Sequence, residues 1–101
     1  MIPDPHYRFT AKAQAFQHGK GTYYWVILPV ETATAITAFV EGKKRGGWGS
    51  LRVHACIGKT RWKSSIFPWN GSYFLLLNAA VRKAEAITDG TRVTAEITLM
   101  A

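Results

Sequence analysis

Leu51-Arg52-Val53-His54-Ala55-Cys56-Ile57-Gly58-Lys59-Thr60-Arg61-Trp62-Lys63-Ser64-Ser65-Ile66 is the stretch on which the fold turns. Two alternating runs meet at Gly58-Lys59, a pair suited to a two-residue type II′ turn because glycine tolerates a positive φ at the first turn position. Pairing Ile57 with Thr60 sets Ala55 opposite Trp62, Val53 opposite Ser64 and Leu51 opposite Ile66, so that one face is mostly apolar. The other face carries Arg52, His54, Cys56, Arg61, Lys63 and Ser65. The expectation is a hairpin with a buried side and a basic side.

Upstream, residues 42–47 form a glycine-bounded polar loop with Lys43, Lys44 and Arg45 at its tip. Before it, Ala33, Ile36 and Val40 recur on one face of a helix that Pro29 can begin, since the first helical position needs no N–H. Residues 23–28 are an aromatic and β-branched run, ending in Leu28, with no polar face, as in a strand covered on both sides. The turn His18-Gly19-Lys20-Gly21 joins them to a strand in which Phe9, Ala11, Ala13 and Ala15 alternate with polar residues.

Downstream, Pro68-Trp69-Asn70-Gly71 has the residues of another tight reversal, and residues 73–77 again read as a strand apolar on both sides. Asn78 is a natural N-cap for a short alanine-rich helix over residues 79–85. After Asp89-Gly90, Val93, Ala95, Ile97 and Leu99 alternate with polar partners in a last strand.

Tyr24-Trp25-Val26-Ile27-Leu28 is echoed 49 positions later by Tyr73-Phe74-Leu75-Leu76-Leu77, and each run leads into a helix, a glycine and an alternating strand. Two such units suggest a pseudo-two-fold internal repeat closed into a barrel with few free edges. The expected architecture is mainly β, about six strands with two short α-helices. At 101 residues the chain suits one domain over residues 8–101, with residues 1–7 as a lead.

The order Trp25, Pro29, a helix, Val53, Ile57-Gly58, Trp62, Ser65, Pro68, Gly71, Tyr73, Val81-Arg82-Lys83-Ala84, Gly90, Val93 resembles the bacterial and archaeal family known as domain of unknown function 1905. The resemblance spans about residues 8–99. It implies a small double-split β-barrel, related in architecture to the swapped-hairpin barrels of AbrB-type transition-state regulators, which bind DNA as dimers; it implies no established activity. Two departures stand out. Glu85-Ala86 replaces an expected alanine-glycine, and Gly90-Thr91 an expected Gly-Asp, which leaves Asp89 as the expected cap of that turn.

Thirteen Lys and Arg against six Asp and Glu give a formal charge of +7, which favours anionic partners. The expected function is a non-catalytic binding module for an anionic partner, with nucleic acid or another polyanion leading. Its candidate residues are Lys43, Lys44, Arg45, Arg52, His54, Arg61 and Lys63, with Arg82 added by the family-like segment. No exposed aromatic row is evident on that face. The alternative is a small-molecule-binding barrel, its pocket built from Trp25, Trp62 and Tyr73, or a protein-interaction module.

Nothing local supports catalysis or a metal. His6, His18 and His54 have no partner at helical spacing, and Cys56, the single cysteine, has neither a disulfide partner nor the neighbours of a zinc site. Opposite Arg61, it reads as an ordinary small thiol. The expectation is therefore no enzyme and no cofactor. With no cationic lead before an apolar core, and no apolar run near the roughly 20 residues that span a bilayer, the expected location is the cytoplasm and no membrane partner.

Overall fold

A computed structural model describes residues 5–41 and 49–100. Strands β1 (His6–Lys12), β2 (Gln14–His18) and β3 (Gly21–Ile27) precede helix α1 (Val30–Val40). Then come β4 (Leu51–Ile57), β5 (Thr60–Trp69), β6 (Ser72–Leu76), helix α2 (Ala79–Ala84) and β7 (Arg92–Leu99). All strand pairs are antiparallel, in the order β1-β7-β4-β5-β6-β3-β2. The sheet curls into a half-barrel.

The β4–β5 hairpin has the expected register, Leu51 with Ile66 through Ile57 with Thr60. Gly58 takes φ +58, and the Glu85 carboxylate lies where a Cβ on residue 58 would sit. The positive φ selects glycine, and a larger residue would in addition have to displace the flexible end of Glu85. The described residues form seven strands where six are expected because the first strand is two: Ala13 separates β1 from β2. Its N–H donates to the Thr91 carbonyl at 2.7 Å and its own carbonyl accepts from the Gly90 N–H at 2.7 Å. β1 thus pairs with β7 while β2 pairs with β3. The strand also begins earlier than expected, at His6, with the Pro5 carbonyl accepting from the Leu99 N–H.

Residues equated by the internal echo face each other in the sheet. Val26 pairs with Leu75, 49 positions on, and this pair is flanked by Trp25 with Leu76 and Ile27 with Phe74. Ala55 pairs with Ile97 at the centre of the β4–β7 ladder. All four of these central residues are buried.

Inward positions of the strands, Phe9, Val26, Val53, Ala55, Ile66, Tyr73, Leu75, Ala95 and Ile97 among them, make one core. Helix α1 contributes Ala33, Ile36 and Val40 to it, and its Thr37 hydroxyl lies 3.4 Å from the Tyr73 hydroxyl. Pro29 stands one position before the helix, at its N-cap, rather than as its first residue. Helix α2 is capped as the sequence suggests, the Asn78 Oδ1 accepting from the Val81 N–H at 2.9 Å. No described helix is long and apolar enough to cross a membrane.

The two departures from the family pattern have structural explanations. Helix α2 ends in a Schellman-type closure, the Ile87 N–H donating to the Arg82 carbonyl at 2.9 Å, and this puts Ala86 at φ +52. That is a position where glycine costs less. Glu85 accepts from the Thr60 hydroxyl at 2.6 Å, tying α2 to the hairpin turn. At the 88–91 turn the capping group is Thr91, whose hydroxyl oxygen accepts from the Thr88 N–H at 2.9 Å. Asp89 does other work than expected, accepting from the Ala15 N–H at 2.8 Å and so holding the start of β2.

Replacing Ala86 by glycine is expected to stabilise the fold by about 1 kcal/mol by relieving the left-handed alanine. Gly58→Ala is expected to destabilise it by about 2 kcal/mol, because the backbone penalty combines with displacement of Glu85. Urea unfolding should show both as a shifted midpoint at unchanged slope.

Candidate functional site

The polar positions of β1, β7, β4 and β5 share the outward face of the curled sheet. Register places His6, Thr98, His54 and Lys63 in one transverse row and Arg8, Glu96, Cys56 and Arg61 in the next. Arg52 lies beside Ser65, and Lys12 beside Arg92 at the far end. Arg52, His54, Arg61 and Lys63 are therefore neighbours and exposed, and Arg8, Lys12 and Arg92 extend their patch. These three follow from the polar alternation of the outer strands only once β7 is known to bridge β1 and β4. Lys43, Lys44 and Arg45 lie outside the described residues.

Among the described residues Glu96 is the acid within this patch, and its Oε1 is 3.1 Å from the His6 Nε2, while the His6 Nδ1 is 2.8 Å from the Thr98 hydroxyl. Among the described residues no group of three or more His, Cys, Asp or Glu side chains could hold a metal ion. Cys56 lies opposite Arg61, as expected, with its Sγ 3.5 Å from the Gly58 carbonyl. Burial raises the Tyr7 phenol above its ordinary value. Tyr7 packs against the core, away from the outward patch.

The outward face does not end with the cations. Along β5 its outward residues run Arg61, Lys63, Ser65, Phe67, Trp69, so one strand passes from charge to aromatic rings. Phe67 stacks on Phe74 with centroids 5.3 Å apart. Trp25 sits at the centre of the cluster, 4.7 Å from Phe74, 5.2 Å from Trp69 and 4.3 Å from Phe16. Phe16 continues to Tyr23 at 5.7 Å. Tyr23 and Trp69 are the most open rings, 44% and 46% exposed.

This corrects two expectations. An aromatic row does lie on the basic face, and β3 and β6 are not covered on both sides. Their inward residues Val26, Tyr73 and Leu75 are buried, whereas Trp25 and Phe74 are covered in part by each other and by neighbouring rings. A wholly apolar run gives no alternation from which to tell the two cases apart.

The trio Trp25, Trp62 and Tyr73 does not form a pocket. Tyr73 shares the inward parity of Leu75 and is 3% exposed, while Trp25 pairs with Leu76 and points outward. Trp62 alone of the three lines a cleft of about 410 Å³. The cleft opens where β6 stops: it lies between Thr22, Tyr23 and Tyr24 of β3 and Trp62, Lys63 and Ser64 of β5, and is bounded by residues 76–79 and Arg82.

Arg82 belongs to this cleft and not to the β4–β5 cluster. Nor does it act on the end of its own helix: its Nε donates to the Leu77 carbonyl at 3.1 Å, and its guanidinium carbon lies 4.1 Å from the centre of the Tyr24 ring.

These features define a small, basic, mainly β protein with a curled antiparallel sheet and two short helices. The chain belongs to the family described as Domain of unknown function (DUF1905), whose model matches residues 9–97. No functionally curated protein matches it.

Proposed function

We propose that the protein is a non-catalytic module that binds single-stranded nucleic acid along the outward face of its sheet. The observation that carries this reading is the single outward row of β5, Arg61, Lys63, Ser65, Phe67, Trp69, which passes from phosphate-binding chemistry to base-stacking chemistry. Cations neutralise a backbone without regard to sequence, and aromatic rings accept any base by its π-face. The combination favours a single strand, because bases in a duplex are already stacked.

In this reading Arg52, His54, Arg61 and Lys63 take phosphates, and Trp69, Phe67, Trp25 and Tyr23 take bases. An apolar partner alone would leave the adjoining cations unused, and a featureless polyanion would leave the rings unused. The architecture we infer is a double-split barrel with a pseudo-two-fold repeat, supported by the symmetric pairing about Val26 with Leu75 and Ala55 with Ile97. In it, β5 of the second unit corresponds to the interrupted β1–β2 strand of the first.

Fluorescence titration with a single-stranded oligonucleotide at several salt concentrations tests the proposal. Arg61→Glu with Lys63→Glu should abolish retention on the oligonucleotide at low salt, and the single variants should each reduce the salt slope by about 0.7. Trp69→Ala should weaken binding about tenfold while leaving the slope unchanged. A wild-type protein that is not retained on an oligonucleotide or on heparin at low ionic strength would refute the proposal.

A further inference from the structure

The cleft between β3 and β5 has a composition unlike the rest of the surface. Arg82 is fixed on two sides, by its bond to the Leu77 carbonyl and by the Tyr24 ring beneath it. Among the described residues no hydrogen bond or ion pair engages its terminal nitrogens. Lys63 lines the same space, and no acidic side chain does. Two cations, one held as a planar fork, suit a dianionic phosphate monoester better than a single carboxylate. Trp62 and the two tyrosines supply aromatic walls, and about 410 Å³ is room for a planar ring attached to that phosphate.

The cleft's position adds a second argument. Its rim is made by Lys63, which belongs to the outward cationic patch, and by Tyr23, which ends the outward aromatic cluster. A strand lying on that face would run past its mouth. We infer that this cleft is a socket for a nucleotide carrying a phosphate monoester, with the phosphate on Arg82 and Lys63 and the base against Trp62. The source is either a free mononucleotide or the 5′-phosphorylated end of a bound strand, and only the second rests on the function proposed above.

Titration by tryptophan fluorescence and calorimetry, with adenosine monophosphate, adenosine and inorganic phosphate as probes, tests the socket itself. Adenosine monophosphate should bind at least about tenfold more tightly than either fragment, and Arg82→Gln should remove that advantage. Arg82→Lys, which keeps the charge but loses the fork, should weaken binding of the nucleotide by several-fold and serves if the glutamine variant does not fold. The second arm compares one oligonucleotide with and without a 5′-phosphate. Tighter binding of the phosphorylated strand, lost in Arg82→Gln, identifies the strand end as the source.

Binding of the mononucleotide without binding of either oligonucleotide would support the socket and overturn the strand-binding function. Oligonucleotide binding indifferent to the 5′-phosphate, together with no advantage for adenosine monophosphate over adenosine and phosphate, would overturn the socket and leave the strand-binding function standing.

Discussion

The structure depends on one constraint: the two edges of the sheet are consecutive in the chain. β1 pairs with β7 at one edge, β2 with β3 at the other, and only Ala13 separates them. A flat sheet of these strands could not satisfy this, so the sheet has to curl and bring its two edges towards each other. Ala13 is wholly buried at the junction and hydrogen-bonded through both its N–H and its carbonyl to the 90–91 segment, with Asp89 securing Ala15 beside it.

Curling gives the two faces different chemistry. The concave side receives the apolar inward positions of the strands together with one stripe of α1, and among the described residues every buried one is hydrophobic. The convex side receives what remains, and the remainder is not uniform. The β1-β7-β4 side carries alternating strands whose polar positions are rich in Lys and Arg, while β6, β3 and β2 carry aromatic positions where polar ones would be ordinary. β5 belongs to both, since its first half pairs with β4 and its second with β6. Beyond the end of β6 the first half of β5 has no partner on that side, and the cleft occupied by Arg82 opens there.

Much of the fold was legible in advance because its signals are local. A two-residue turn with glycine first sets the whole register of the β4–β5 hairpin, and Asn78 caps α2 through a bond within four residues. The alternating strands declared their inward residues for the same reason: a period of two leaves no choice of face once one side is apolar. Where alternation is missing, the sequence does not say which face a side chain takes. Trp25 and Phe74 were indistinguishable from core residues, and grouping Trp25 with Tyr73 crossed from one face of the sheet to the other. Ala86 and Thr91 were visible as departures from a pattern, but their consequences depended on backbone angles and partners that only the folded chain defines.

The central hairpin, the cap of α2, the two helices, the basic face of β4 and β5 and the family follow from the sequence, because turns, caps and alternation act over a few residues. Tertiary structure alone decided that β7 joins Arg8 and Arg92 to that basic face, that β5 carries it into an aromatic cluster, and that Arg82 turns back onto Tyr24 to line a cleft. Each of these depends on which strands become neighbours, and that is settled by curling the sheet around its core rather than by any local preference of the chain.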